Sequence, residues 1–323
     1  MRKTAFLILK LGLGAAIFAF IFSKIPLLDS VKLLRGVSGS FLAAAFLCLF
    51  MANALQVLRW QVVLEVSGSS FSFLRLTAVN LVGIFFSNFL PGSVGGDVFK
   101  VFYIVDPRQS GQIMSATILS RIVGMIAVCM LGLAVMPFAS EAFTGQPWWI
   151  PCGIALSAAA VASGAILLPA VQRLLTIALV ALRVPDKHVA VLTSLLNPVR
   201  LWLRSARTVA ATFVLALLYQ IVGPVSVLYL CARSLGLALP IPSVVMIAVL
   251  ANVAFALPIS LNGLGVAEGV YVYLFMLLGA PGEEALLLAL LFRVVCVTQA
   301  LAGGVVYFFL RRRPHAPLPD VPV

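Results

Sequence analysis

Long apolar runs dominate this chain and leave it few folds to choose from. Runs at about 4–23, 41–60, 112–136, 148–169, 209–231 and 284–310 each hold twenty residues or more, enough helix to cross roughly 30 Å of hydrocarbon. Two further apolar regions, 72–104 and 243–280, are interrupted by Pro and Gly. Without water, every backbone N–H and C=O must be satisfied internally, so broken helices survive only where protein surrounds them. The expected fold is an all-α polytopic membrane protein with six full spans and two broken or re-entrant helical hairpins.

Composition points the same way. Apolar residues make up 63% of the chain and charged ones 10%, with a mean hydropathy of +1.15; soluble domains are about a quarter charged. The net charge of +12 would suit nucleic acid if the cations formed one face. Instead they gather at segment ends and in one linker, as positive-inside topology places them, and no nucleic-acid partner is expected. Cys48, Cys129, Cys152, Cys231 and Cys296 are scattered, and the two histidines, His188 and His315, fall outside the apolar runs. That spacing suits neither a disulfide framework nor a metal cluster. No cofactor, metal or catalytic residue is assigned.

Met1-Arg2-Lys3 leads into Thr4 to Ile21 without a small-residue cleavage site, so this stretch reads as a retained first helix. In 72–104 only Val98 to Val105 is left for a return crossing, with Lys100 inside it, which favours a re-entrant pair. Region 243–280 fits either two short tilted crossings or a second re-entrant pair. Both versions put the termini on one side. Arg2, Lys3 and Lys10, the cations of 170–207, and Arg311-Arg312-Arg313 then face the cytoplasm, although Lys24, Lys32 and Arg35 run against the rule. The linker 170–207 reads either as interfacial helices, with Leu195, Val199, Leu201, Trp202 and Leu203 on an apolar face, or as a loop held against the bundle. Residues 311–323 form a basic, Pro-rich tail expected to be disordered.

The order span, span, broken hairpin, span occurs twice, in 4–136 and 148–310. Three crossings in the first half turn the second upside down, the pattern of an inverted repeat within one domain, 1–310. Each half carries an acid and an arginine. Leu90-Pro91-Gly92-Ser93-Val94-Gly95-Gly96-Asp97 precedes Arg121 by 24 residues from the acid, and Leu257-Pro258-Ile259-Ser260-Leu261-Asn262-Gly263-Leu264-Gly265-Val266-Ala267-Glu268 precedes Arg293 by 25. Charges in hydrocarbon are costly unless paired or hydrated, so a repeated set indicates a built polar site. Arg121 and Arg293 suit a phosphate through directional guanidinium hydrogen bonds, or they neutralise Asp97 and Glu268. Pro91, Gly92, Gly95, Gly96, Pro258, Gly263 and Gly265 are candidate hinges. Asn88 and Asn262, with Asn53, Gln56, Asn80, Gln220, Asn252 and Gln299, either extend a polar path or hydrogen-bond between helices.

These segments resemble the lysylphosphatidylglycerol synthase transmembrane-region family of flippase-like integral membrane proteins. The resemblance is carried by Arg59-Trp60, Phe86-Ser87-Asn88-Phe89 running on to Asp97, Arg121 with Gly124, and Pro258 to Glu268. Leu261-Asn262 departs from the Pro-Gly or Gly-Gly character common there. The resemblance implies a protein of the bacterial inner membrane or archaeal plasma membrane that moves lipids. In multidomain relatives a cytoplasmic transferase makes the aminoacylated lipid; no such domain follows residue 310, so that reaction is not expected of this chain. Other relatives belong to hopanoid or polyprenyl-linked glycolipid pathways. The expected function is a flippase for an anionic phospholipid or polyprenyl-phosphate-linked lipid, with a lipid-synthesis enzyme or glycosyltransferase as a candidate partner. The alternatives are an intramembrane lipid-modifying enzyme and a scaffold for a lipid-synthesis enzyme.

Overall fold

The computed structural model describes residues 36–89, 96, 100, 110–139, 149–165, 167–181, 198–256 and 265–310. Every regular element among them is helical. In chain order these are α1 (Gly39–Val66), α2 (Phe73–Phe89), α3 (Ser110–Val135), α4 (Trp149–Ala165), α5 (Pro169–Ala181), α6 (Ala206–Gln220), α7 (Ser226–Ser234), α8 (Ile241–Ala256), α9 (Val266–Leu277) and α10 (Gly282–Leu310). A π-helical turn, Ile221–Val225, joins α6 to α7 without a break.

Among the described residues, four helices are long and apolar enough to cross a membrane: Gly39–Val66, Ile113–Phe138, Ala206–Ser234 and Gly282–Phe309. They match four of the six expected spans. The fifth, 4–23, lies outside the described residues. The sixth, 148–169, is shorter than expected: α4 has 17 residues, and α5 starts afresh at Pro169 after a turn. Proline suits a first helical position and cannot continue a preceding helix, which explains the stop. The second broken region is two helices, α8 of 16 residues and α9 of 12. At 1.5 Å per residue they are about 24 and 18 Å long, against roughly 30 Å of hydrocarbon.

Outward-facing side chains are large and apolar, among them Leu47, Leu74, Ile154, Val161 and Phe309, all more than half exposed. Such a surface suits hydrocarbon rather than water. Inside, two apolar clusters divide the molecule. One joins Leu49 of α1 to Leu228, Ile247, Phe275 and Leu286. The other joins Val57, Trp60 and Leu64 to Leu76, Leu119, Trp202 and Ala216. On α1 the buried Asn53 falls between the two.

The packing is reciprocal. The first helix of each broken region lies against the last long helix of the other half, α2 on α10 and α8 on α3, while α1 packs on α6 and α7 at the centre. Glycine sets the closeness of the α2–α10 contact, since a Cβ on Gly303 would stand 2.6 Å from the carbonyl carbon of Leu81. Beside it Tyr307 packs edge-on against Phe86, ring centroids 5.0 Å apart.

The described parts of the 170–207 linker are helical and tied to the bundle. Arg200 Nε donates to Gln172 Oε1 at 3.4 Å, and buried Trp202 donates from Nε1 to Thr212 Oγ1 at 3.0 Å. Leu174 and Ile177 on α5 stay exposed.

Candidate functional site: a charged chamber and a buried ion pair

Two polar centres lie among the apolar helices. The first is in the second half. Gly265 adopts φ 79°, a left-handed conformation open to glycine at little cost, and the chain turns there into α9. Glu268, three residues on, is 1% exposed. Its Oε2 accepts the backbone N–H of Gly265 at 2.8 Å, satisfying a helix-start donor, and its Oε1 accepts Arg293 Nε of α10 at 2.6 Å. The carboxylate therefore caps a helix and pairs a charge at once. On the same two helices, Tyr271 and Phe292 pack edge-on, their rings 5.2 Å apart.

The second centre is a chamber of about 220 Å³ between α1, α2 and α3, lined by Gln56, Arg59, Trp60, Asn80, Ile84, Ser87, Asn88, Lys100, Thr117, Ser120 and Arg121. Three cations share it. Arg59 is 6% exposed and Lys100 9%, whereas Arg121 is exposed at the rim. Arg59 Nε donates to Ser120 Oγ at 3.0 Å, and its guanidinium carbon stands 5.7 Å from the ring centre of Tyr219. Gly124, one turn on from Ser120, leaves space for this head group. Lys100 Nζ lies 5.6 Å from the Trp60 ring centre, a cation–π distance. Its stem crosses Gly83, where a Cβ would stand 2.5 Å from Lys100 Cε, and Gly96 meets Ser87 and Gly83 too closely for any side chain. Glycine against glycine thus lets Gly96 and Lys100 lie directly on α2.

Two amide pairs join helices. Asn80 Nδ2 donates to Asn53 Oδ1 at 2.7 Å, tying α2 to α1, and Asn252 Nδ2 donates to Gln220 Oε1 at 3.4 Å, tying α8 to α6. The interval from Asn80 to Arg121 equals that from Asn252 to Arg293. A smaller cavity of about 120 Å³ adjoins on the far side of Gln56, with Asn53, Tyr219, Gly223, Pro224, Cys296 and Gln299 in its walls.

Of the residues singled out in the sequence, Arg121 and Asn88 line the chamber, and Asn88 also donates to the Ile84 carbonyl at 2.9 Å. Glu268 and Arg293 meet each other. The structure does not bring Arg293 to the chamber that Arg121 lines. Gly96 and Gly265 mark the close contact and the helix start just given. Asp97, Asn262, Pro91, Gly92, Gly95, Pro258 and Gly263 lie outside the described residues. Sequence reasoning passed over Arg59 and Lys100 as site residues. Arg59 stands one residue before the end of the expected 41–60 span, but α1 continues to Val66 and so places it within the bundle.

A helical bundle with an apolar exterior, a cationic chamber and a buried carboxylate–guanidinium pair defines a multi-pass membrane protein with a charged interior. The chain belongs to the lysylphosphatidylglycerol synthase TM region family, whose model matches residues 7–303. Membership links it to lipid handling. No curated protein shows significant similarity to the chain.

Proposed function

We propose that the protein is a flippase that carries an anionic lipid, a phospholipid or a polyprenyl-phosphate-linked lipid, between leaflets of a bacterial inner or archaeal plasma membrane. The observation that carries this reading is the cationic chamber set between helices whose outer faces are apolar. A head group lodges among polar side chains while its tails stay in hydrocarbon, which removes the main cost of crossing, the burial of an unpaired charge.

The reciprocal packing of α2 on α10 and α8 on α3, with the matched amide-to-arginine intervals, supports an inverted repeat. In such folds broken helices near the midplane commonly frame the substrate. On this reading the two broken segments are re-entrant, both termini face the cytoplasm, and the halves rock to open the groove to each leaflet in turn. Glu268 holds Arg293 in the resting state, and an arriving anion competes for the guanidinium.

The test is translocation of defined fluorescent lipids in vesicles containing only this protein. Wild-type protein is expected to move an anionic lipid faster than empty vesicles allow. Normal translocation by the Arg121→Ala/Arg293→Ala variant, reconstituted to the same level, would sink the proposed role of the arginines.

A further inference from the structure

We infer that the cavity of about 120 Å³ beside the π-helical turn is a binding subsite for an uncharged, hydroxyl-bearing part of a lipid head group, with Gln299, Gln56 and Tyr219 as its hydrogen-bonding residues. The inference rests on the lipid-moving reading above and adds which part of the head group the second cavity recognises.

Three observations lead there. First, the walls carry hydrogen-bonding groups in need of partners. Gln299 of α10 is 9% exposed, lines this cavity and makes no hydrogen bond among the described residues. Gln56 of α1 and the Tyr219 hydroxyl of α6 share that condition at the same cavity. Polar groups taken out of bulk water are nearly always bonded, so a buried amide left open calls for a partner. Asn53, by contrast, is already tied to Asn80.

Second, the chemistry of the walls selects the group. None of the described lining residues is charged, and a bare ion would lose its hydration there at great cost. Amides and a phenol both donate and accept, which matches a hydroxyl. Val227 and Phe292 complete the lining with apolar surface, suited to the C–H edges of a polyol. One water needs only roughly 10–15 Å³ of such space, so this cavity exceeds a structural-water pocket and leaves room for a small polyol.

Third, the backbone is shaped around the space. Gly223 and Pro224 of the π-helical turn line it, and such turns recur at functional sites. A Cβ on Gly223 would stand 2.9 Å from that of Ala52 on α1, so two small residues carry the helices past each other at the cavity wall. Gln56 lines this cavity and the larger chamber alike, which puts the subsite next to the chamber.

The test uses the full chain purified in an uncharged maltoside detergent, read by native mass spectrometry and thermal unfolding. The probes are phosphatidylglycerol; phosphatidylethanol, which carries the same phosphodiester charge without a head-group hydroxyl; and glycerophosphoglycerol, the first head group without tails. Wild-type protein is expected to bind phosphatidylglycerol roughly three- to tenfold more tightly than phosphatidylethanol, the scale of one net hydrogen bond. Gln299→Leu is expected to remove most of that preference, weakening phosphatidylglycerol and leaving phosphatidylethanol unchanged. Its lipid-free melting temperature should hold or rise, since leucine replaces an unbonded buried amide. A merely structural glutamine would move both lipids together. Gln56→Leu, at a half-buried position, carries the same comparison if Gln299→Leu does not fold. Equal binding of the two lipids by wild type, or an unchanged preference in the folded variants, overturns the subsite. A response to phosphatidylglycerol and not to glycerophosphoglycerol supports a lipid as the source of the hydroxyls, whereas equal responses would assign the cavity to a soluble polyol and overturn the lipid assignment. Absent translocation with the preference intact would count against the transport reading alone.

Discussion

Gly124 of α3 stands against the guanidinium of Arg59 on α1, so close that a methyl group on it would meet Nη1 at 3.2 Å. The glycine that accompanies Arg121 in sequence thus serves the arginine of another helix. Ser120 and Tyr219 hold the same head group from two other directions.

Gly124→Ala is therefore expected to displace Arg59 without dismantling the bundle. Alanine is favoured over glycine in a helix by about 1 kcal/mol, which offsets part of the crowding, so the melting temperature should move little. Anionic-lipid translocation in the vesicle assay should fall several-fold. Thermal unfolding and translocation, each measured beside wild type, check the two points.

Breaking the buried pair should be severe. Glu268→Gln leaves the Arg293 guanidinium without its carboxylate, a loss of about 3–5 kcal/mol for a buried ion pair. Glu268→Gln/Arg293→Met removes both charges and is expected to recover much of that loss. A double-mutant cycle of thermal unfolding in detergent measures the coupling, and additive single effects would contradict the pairing.

Glycines in this protein should divide by what stands opposite them. Gly303→Ala drives a Cβ into the Leu81 backbone and is expected to cost about 1–3 kcal/mol, as overpacking does. Gly164→Ala meets nothing within 4 Å and should be neutral or mildly stabilising. The same unfolding assay compares the two.

The Asn53–Asn80 bond gives a smaller effect. Asn80→Leu strands an amide of Asn53, and the expected loss is about 0.6–2 kcal/mol, the range of interhelical hydrogen bonds within membranes. Asn53→Leu/Asn80→Leu should restore most of it. A double variant less stable than either single variant would argue against the bond.

Much of the architecture could be read in the residues because hydrocarbon imposes a length and a polarity on every crossing. The spans at 41–60, 112–136, 209–231 and 284–310 emerge at nearly their expected positions, and Gly265, one of the expected hinge glycines, starts α9 with a positive φ. Residues 148–169 were harder, since Pro169 looks apolar in a hydropathy run yet starts a new helix. The pairing of Glu268 with Arg293 was open in one dimension, because an interval of 25 residues fixes no distance. Arg59 was concealed for a related reason. A cation near the end of an apolar run resembles an anchor at the lipid surface, and only the continuation to Val66 puts it inside. The glycine crossing of Gly83 and Gly96 that buries Lys100 needs two segments in contact, which no local pattern reveals.

The π-helical turn at Ile221–Val225 bears on the energetics of the proposed transport cycle. Two interchangeable halves would give end states of equal free energy, one open to each side. Pro224 and the widened turn occupy the central helix of one half, while α1, its counterpart, runs unbroken through 28 residues. On the flippase reading proposed above, that difference would lift the degeneracy and favour one resting orientation before any gradient acts.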